Sequence, residues 1–96
     1  LEAAQIQRQD DDRYSVRALT RIDDFNDYFD VAFSDENYDT VGGLVIHELG
    51  RMPRRGESVE LGGFRFKVTQ ADRRRVHTLE VRPVEMQADD GATPTP

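Results

Sequence analysis

The sequence predicts a two-layer α+β sandwich in the order β-α-α-β-β-β, with a mainly antiparallel sheet covered on one face by two helices. Three observations carry this prediction. Apolar residues at helical spacing lie in the first half, at Ile22, Phe25 and Phe29 and again at Val41, Leu44, Val45 and Leu49. From Glu57 the period changes to two, and Val59, Leu61, Phe64, Phe66, Val68, Leu79 and Val81 fall on one side of a set of strands. That apolar sheet face needs a cover, and the two helical stripes are the only surfaces in the chain able to supply it.

At 96 residues the chain has room for one domain, and the absence of cysteine removes disulfides, thiolate metal sites and thiol nucleophiles. Stability must therefore come from packing. With no run of about 20 apolar residues and no signal-peptide pattern, a soluble domain in a cytoplasmic setting is expected. Nineteen acidic against thirteen basic residues give a net charge of -6, which argues against nucleic acid or anionic membrane as the main partner, because phosphate affinity is driven by lysine and arginine. Carboxylates crowd residues 10 to 39, whereas most arginines lie in the second half, and such separation favours oriented docking to another protein or domain.

In chain order, residues 1–12 read as linker or tail, 13–86 as the folded unit and 87–96 as a disordered tail. Tyr14 to Ala18 alternates as a half-buried first strand. Thr20, with Asp23 three residues on, is placed to cap a helix from Arg21 to Asp30. Thr40 caps a second helix that Gly50 closes in the left-handed conformation, with Pro53 forbidding continuation. Gly42 and Gly43 inside it each cost roughly 1 kcal/mol relative to alanine, so they signal either close backbone packing or N–H groups aimed at an anion. Gly62-Gly63 suits a two-residue hairpin turn, which sets Leu61 opposite Phe64 and Val59 opposite Phe66. A four-residue turn over Asp72 to Arg75 then sets Ala71 opposite Val76, Val68 opposite Leu79, Phe66 opposite Val81, Lys67 opposite Glu80 and Thr69 opposite Thr78.

Candidate chemistry is sparse. His47 is placed at the surface and His77 on the apolar sheet face near Gln70, neither with a partner at metal-ligand spacing. Ser15, Ser34 and Ser58 lack a base, so no catalytic residues and no enzyme activity are expected. Asp35, Glu36 and Asp39 offer hard oxygen ligands of the kind magnesium or calcium accepts, against the plainer reading of a solvated loop leading into the next helix. Gly42 and Gly43, with Arg54 and Arg55, form the candidate small-ligand site, for a phosphate-bearing ligand such as a nucleotide. Arg73, Arg74 and Arg75 form a candidate interaction surface.

The segments Ile22-Asp23-Asp24-Phe25-Asn26, Asp35 through Val45, and Leu49 through Glu57 resemble the CorC/HlyC transporter-associated domain. Tyr38 to Gly43 together with Gly50-x-x-Pro53-x-x-Gly56 is the specific part of the signature, and Phe64 to Val68 and Val76 to Val81 are similar to its terminal strands. The resemblance covers about Tyr14 to Pro83. It implies a non-catalytic regulatory or interaction module at the C-terminus of bacterial magnesium and cobalt efflux, or hemolysin-like, proteins. There the module follows a pair of CBS domains and often a transmembrane domain. The family fold is related to a FAD-binding domain of oxidoreductases. No cofactor is expected on this reading, with FAD or a divalent cation (Mg, Ca) as the alternative. The expected partners are the parent's other domains, with a homodimer through an exposed sheet edge as a further option and no nucleic acid.

Overall fold

A computed structural model describes residues 5–84. The elements are β1 (Ile6–Asp10), β2 (Arg13–Arg17), α1 (Ile22–Phe29), α2 (Val41–Leu49), β3 (Ser58–Leu61), β4 (Phe64–Ala71) and β5 (Val76–Pro83). All strands join one antiparallel sheet in the order β1-β2-β5-β4-β3. The first strand of the sequence reading therefore docks on β5, and both helices cover one face as expected.

Residues 6–10, expected as linker, instead form the edge strand β1, with Ile6 opposite Val16 and Arg8 opposite Tyr14. Only Ile6 of this strand is even partly buried, so an outermost strand exists here without the hydrophobic alternation that would announce it. The tail expected at 87–96 lies outside the described residues.

The pairs Leu61–Phe64, Val59–Phe66, Lys67–Glu80, Val68–Leu79 and Ala71–Val76 match the predicted register. The exception is an irregularity beyond Val68, where Thr78 pairs with Gln70 rather than Thr69. Thr69 keeps hold of Thr78 through its hydroxyl, which donates to the Thr78 carbonyl at 3.1 Å. The same irregularity brings Val76 and Leu79 both into the core and leaves His77 exposed, not on the apolar face where unbroken alternation would put it.

Phe25, wholly buried, is the hub of the core. Its ring centroid lies 4.6 Å from Phe29, 5.8 Å from Phe33 and Phe64, and 5.7 Å from Phe66, so one aromatic of α1 ties the helix to the sheet and to the connection beyond it. Val41, Leu44 and Val45 of α2 belong to the same buried cluster as Val16, Leu79 and Val81.

The two helices start against each other. The Ile22 N–H donates to the Asp39 carbonyl and the Val41 N–H to the Thr20 carbonyl, both at 2.9 Å, around a bridge between Arg21 and Thr40. This exchange draws residue 21 into extended conformation, so Arg21, not Thr20, stands at the N-cap and no side chain caps α1. The Thr20 hydroxyl, predicted to cap, is buried with no hydrogen-bond partner among the described residues.

Candidate functional site

The first turn of α2 is fully engaged by the protein itself. Thr40 Oγ1 accepts from the Gly43 N–H at 3.1 Å, while the Gly42 N–H donates to the Ala18 carbonyl at 2.9 Å and the Leu44 N–H to the Thr40 carbonyl at 3.0 Å. A Cβ on Gly42 would stand 2.8 Å from Ala18 Cβ and 3.1 Å from Ala18 O, and one on Gly43 would stand 3.1 Å from Tyr38 Cβ. The glycines thus admit the neighbouring backbone. The amides that a phosphate would need at Gly42 and Gly43 are already donated, which removes the basis for the nucleotide reading. Arg54 and Arg55 follow the opposite end of α2, a helix about 13 Å long, and do not join the glycines in one site.

After Gly50, which closes α2 at φ 75°, the signature Gly50-x-x-Pro53-x-x-Gly56 builds a clamp. Pro53 is fully buried, the Gly56 N–H donates to Val68 O at 2.7 Å and the Val68 N–H returns to Glu57 O at 2.8 Å, fastening the loop to β4. The Glu57 carboxylate binds the Arg51 guanidinium through both oxygens and accepts the Arg54 N–H at 2.8 Å. The Arg51 hydrogen bond first, and the Arg54 amide second, hold Glu57 down to about 2, and Glu57 raises Arg51 in turn. Arg54 and Arg55 extend into solvent.

Asp35, Glu36 and Asp39 are all exposed, and Ser34 Oγ accepts the Glu36 N–H at 3.2 Å. Among the described residues no three His, Cys, Asp or Glu side chains converge as a metal site, so these carboxylates are not gathered into one coordination set. His47 is exposed as expected and lies beside Tyr38 with ring centroids 5.3 Å apart.

The β4–β5 turn is organised by Asp72. Its Oδ1 accepts the N–H groups of Arg74 and Arg75 at 2.7 and 2.9 Å, and its Oδ2 meets His77 Nε2 at 2.9 Å. The His77 hydrogen bond, then those two amides, hold the Asp72 carboxyl at about 2. Arg73, Arg74 and Arg75 are exposed. Across the sheet end, Arg17 of β2 lies opposite Thr78, which in turn lies opposite Gln70. Sequence reasoning missed Arg17 because only the β2–β5 pairing brings it to this turn.

A five-stranded antiparallel sheet, two helices on one face and a Gly-Pro-Gly clamp after the second helix define the class: a small α+β accessory domain of the transporter-associated type. The chain belongs to the CorC/HlyC transporter-associated domain family, whose model matches residues 7–85. It is 53% identical over 75 residues to the magnesium and cobalt efflux protein CorC of Vibrio cholerae, covering 78% of this chain and 26% of that protein. Among solved structures, the CorC-associated region from Neisseria meningitidis is 46% identical with a TM-score of 0.83, covering 84% of this chain and all of that one. The transporter-associated domain of a CBS domain protein from Porphyromonas gingivalis is 29% identical with a TM-score of 0.76, covering 85% and 100%. The chain spans about a quarter of the length of the curated relatives it matches. No helix among the described residues is long and apolar enough to cross a membrane.

Proposed function

We propose that this domain is a non-catalytic regulatory and interaction module of a CorC-type magnesium and cobalt efflux protein, acting on the cytoplasmic side through contacts with the parent's other domains, a CBS pair among them. The observation that carries this reading is the 53% identity to a segment making up about a quarter of such a protein. The geometry supports it. The signature residues Thr40, Gly42, Gly43, Gly50, Pro53 and Gly56 are spent on building the fold, and charged turns are among the exposed features.

The test is deletion of residues 7–85 from the parent protein, followed by cobalt resistance, magnesium efflux and assembly of the remaining protein. Altered resistance or efflux with the remaining protein still assembled is the expected result. Unchanged resistance, efflux and assembly would overturn the reading, as would turnover of any substrate by the isolated chain.

A further inference from the structure

Where β2 leaves the sheet and β4 turns into β5, a cleft of about 260 Å³ opens, lined by Arg17, Leu19, Gln70, Arg75, His77 and Thr78. Its charge is at odds with that of the chain. Arg8, Arg13, Arg21, Arg51, Arg65 and Arg82 each lie within 4.0 Å of a carboxylate. Arg17 and Arg75 have no such partner among the described residues, and neither do Arg73 and Arg74 in the same turn or Arg54, Arg55 and Lys67 elsewhere. No Asp or Glu lines the cleft. The carboxylate of the adjoining turn, Asp72, is already committed to His77 and two backbone amides.

Neutral donors complete the arrangement. Arg17, Thr78 and Gln70 stand in register across three strands, and the Thr78 hydroxyl donates to Gln70 Oε1 at 3.1 Å, which leaves the Gln70 amide nitrogen available to donate. Guanidinium groups bind tetrahedral oxyanions through paired N–H groups, and a cleft lined by one sign of charge concentrates its counter-ion. The net charge of -6 weighs against an anionic surface as the main partner but acts weakly on one local cleft, since exposed charges beyond about 8 Å are largely screened at physiological salt.

We propose that this cleft binds a phosphate group, with Arg17 and Arg75 as its clamps and Gln70 as a neutral donor. The phosphate can come from a soluble phosphate compound or from a lipid headgroup. Leu19, 67% exposed at the rim, separates the two, because an apolar side chain there adds contact only to a lipid surface. The proposal does not depend on the regulatory reading above.

The experiment titrates the isotopically labelled chain with inorganic phosphate and with glycerol phosphate at constant ionic strength set by chloride, following the amides of Gln70, Arg75, His77 and Thr78. In parallel, co-sedimentation compares phosphatidylglycerol with phosphatidylcholine vesicles. Expected are saturable shifts at those amides, with affinity falling about tenfold in Arg17→Ala and in Arg75→Ala. Both residues are exposed, so the variants keep the dispersed spectrum of the fold. Shifts with the soluble phosphates and no sedimentation assign a soluble ligand. Sedimentation with phosphatidylglycerol alone, reduced by Leu19→Ala, assigns a headgroup. Absence of binding in every arm overturns the proposal, as do equal shifts with chloride alone or unchanged binding by the Arg17→Ala/Arg75→Ala double variant.

Discussion

The carboxamide of Asn26 grips the backbone of Phe33 seven residues away, donating from Nδ2 to the Phe33 carbonyl and accepting the Phe33 N–H on Oδ1, both at 3.0 Å. A side chain on α1 thereby imitates a strand pair and closes the chain that leaves the helix. The contact positions the Phe33 ring, which lies 6.1 Å from Phe66 and sits so close to Gly62 that a Cβ there would approach it to 2.7 Å.

Asn26→Asp removes the donor half of this grip and sets a carboxylate against the Phe33 carbonyl. The expected cost is about 2 kcal/mol in urea unfolding at neutral pH, since a partly buried acceptor loses its partner. Protonating the new carboxyl restores a donor, and the carbonyl facing it raises its folded pKa, so the deficit relative to the parent chain shrinks as pH falls towards about 4 and is smallest below it. A pH-independent deficit would refute the account.

Much of this was legible in the sequence, and the failures share a cause. The β3–β4 register, the Thr40 cap and the Gly50 stop depend on residues within a few positions of one another, where turn chemistry and alternation suffice. β1 was illegible because an edge strand that buries little beyond Ile6 carries no period-two pattern. Thr20 has the local pattern of a cap, and nothing local reveals that its carbonyl is claimed by Val41, twenty-one positions on. Gly42 is conspicuous in the sequence, but the acceptor that occupies its amide, the Ala18 carbonyl, is brought there by the chain leaving β2 and cannot be read locally. The basic cleft likewise needs β2 beside β5 before Arg17 and Arg75 can line it together.

The two helix glycines should respond differently to alanine. Gly42→Ala drives a Cβ to 2.8 Å from Ala18 Cβ and 3.1 Å from its carbonyl, so α2 must move away from the chain leaving β2 and the Gly42–Ala18 hydrogen bond suffers. A net loss of about 2 kcal/mol is expected after the helix-propensity gain of about 1 kcal/mol. Gly43→Ala meets Tyr38 Cβ at 3.1 Å, a milder approach that the same gain largely offsets, leaving stability within about 1 kcal/mol. Thermal unfolding of the two variants decides, and equal effects would contradict the close-approach argument.

The two threonines that precede the helices should respond with opposite signs. Thr40→Ala deletes the acceptor of the Gly43 N–H and costs about 1 kcal/mol, whereas Thr40→Ser retains the cap. Thr20→Val replaces a buried, unpartnered hydroxyl with a methyl group of similar size, and stabilises by about 1 kcal/mol because no hydrogen bond is lost and a desolvation cost is relieved. If Thr20→Val destabilises, that hydroxyl has a partner after all.

Acid sensitivity should trace to the two carboxylates that organise the loops. Glu57, held at about 2 against an ordinary 4.5 by Arg51 and the Arg54 amide, and Asp72, held at about 2 against 3.8 by His77 and two amides, bind fewer protons when folded than when unfolded. Stability contributed by such groups is complete above their unfolded values and is lost as pH falls from about 4.5 towards about 2. Both carboxylates lie at the surface, so the effect weakens with added salt. Glu57→Gln should therefore be less stable than the parent chain at pH 7 and show a flatter acid limb, the two curves converging near pH 2. Arg51→Ala should raise the Glu57 carboxyl towards its ordinary value and move its titration, followed by carboxyl NMR, up in pH. Asp72→Asn tests the second turn in the same way, and it must leave the Glu57 titration unmoved because the two carboxylates have separate partners. Parallel stability curves for Glu57→Gln and the parent chain would show that the clamp at the end of α2 is not the source of the acid limb.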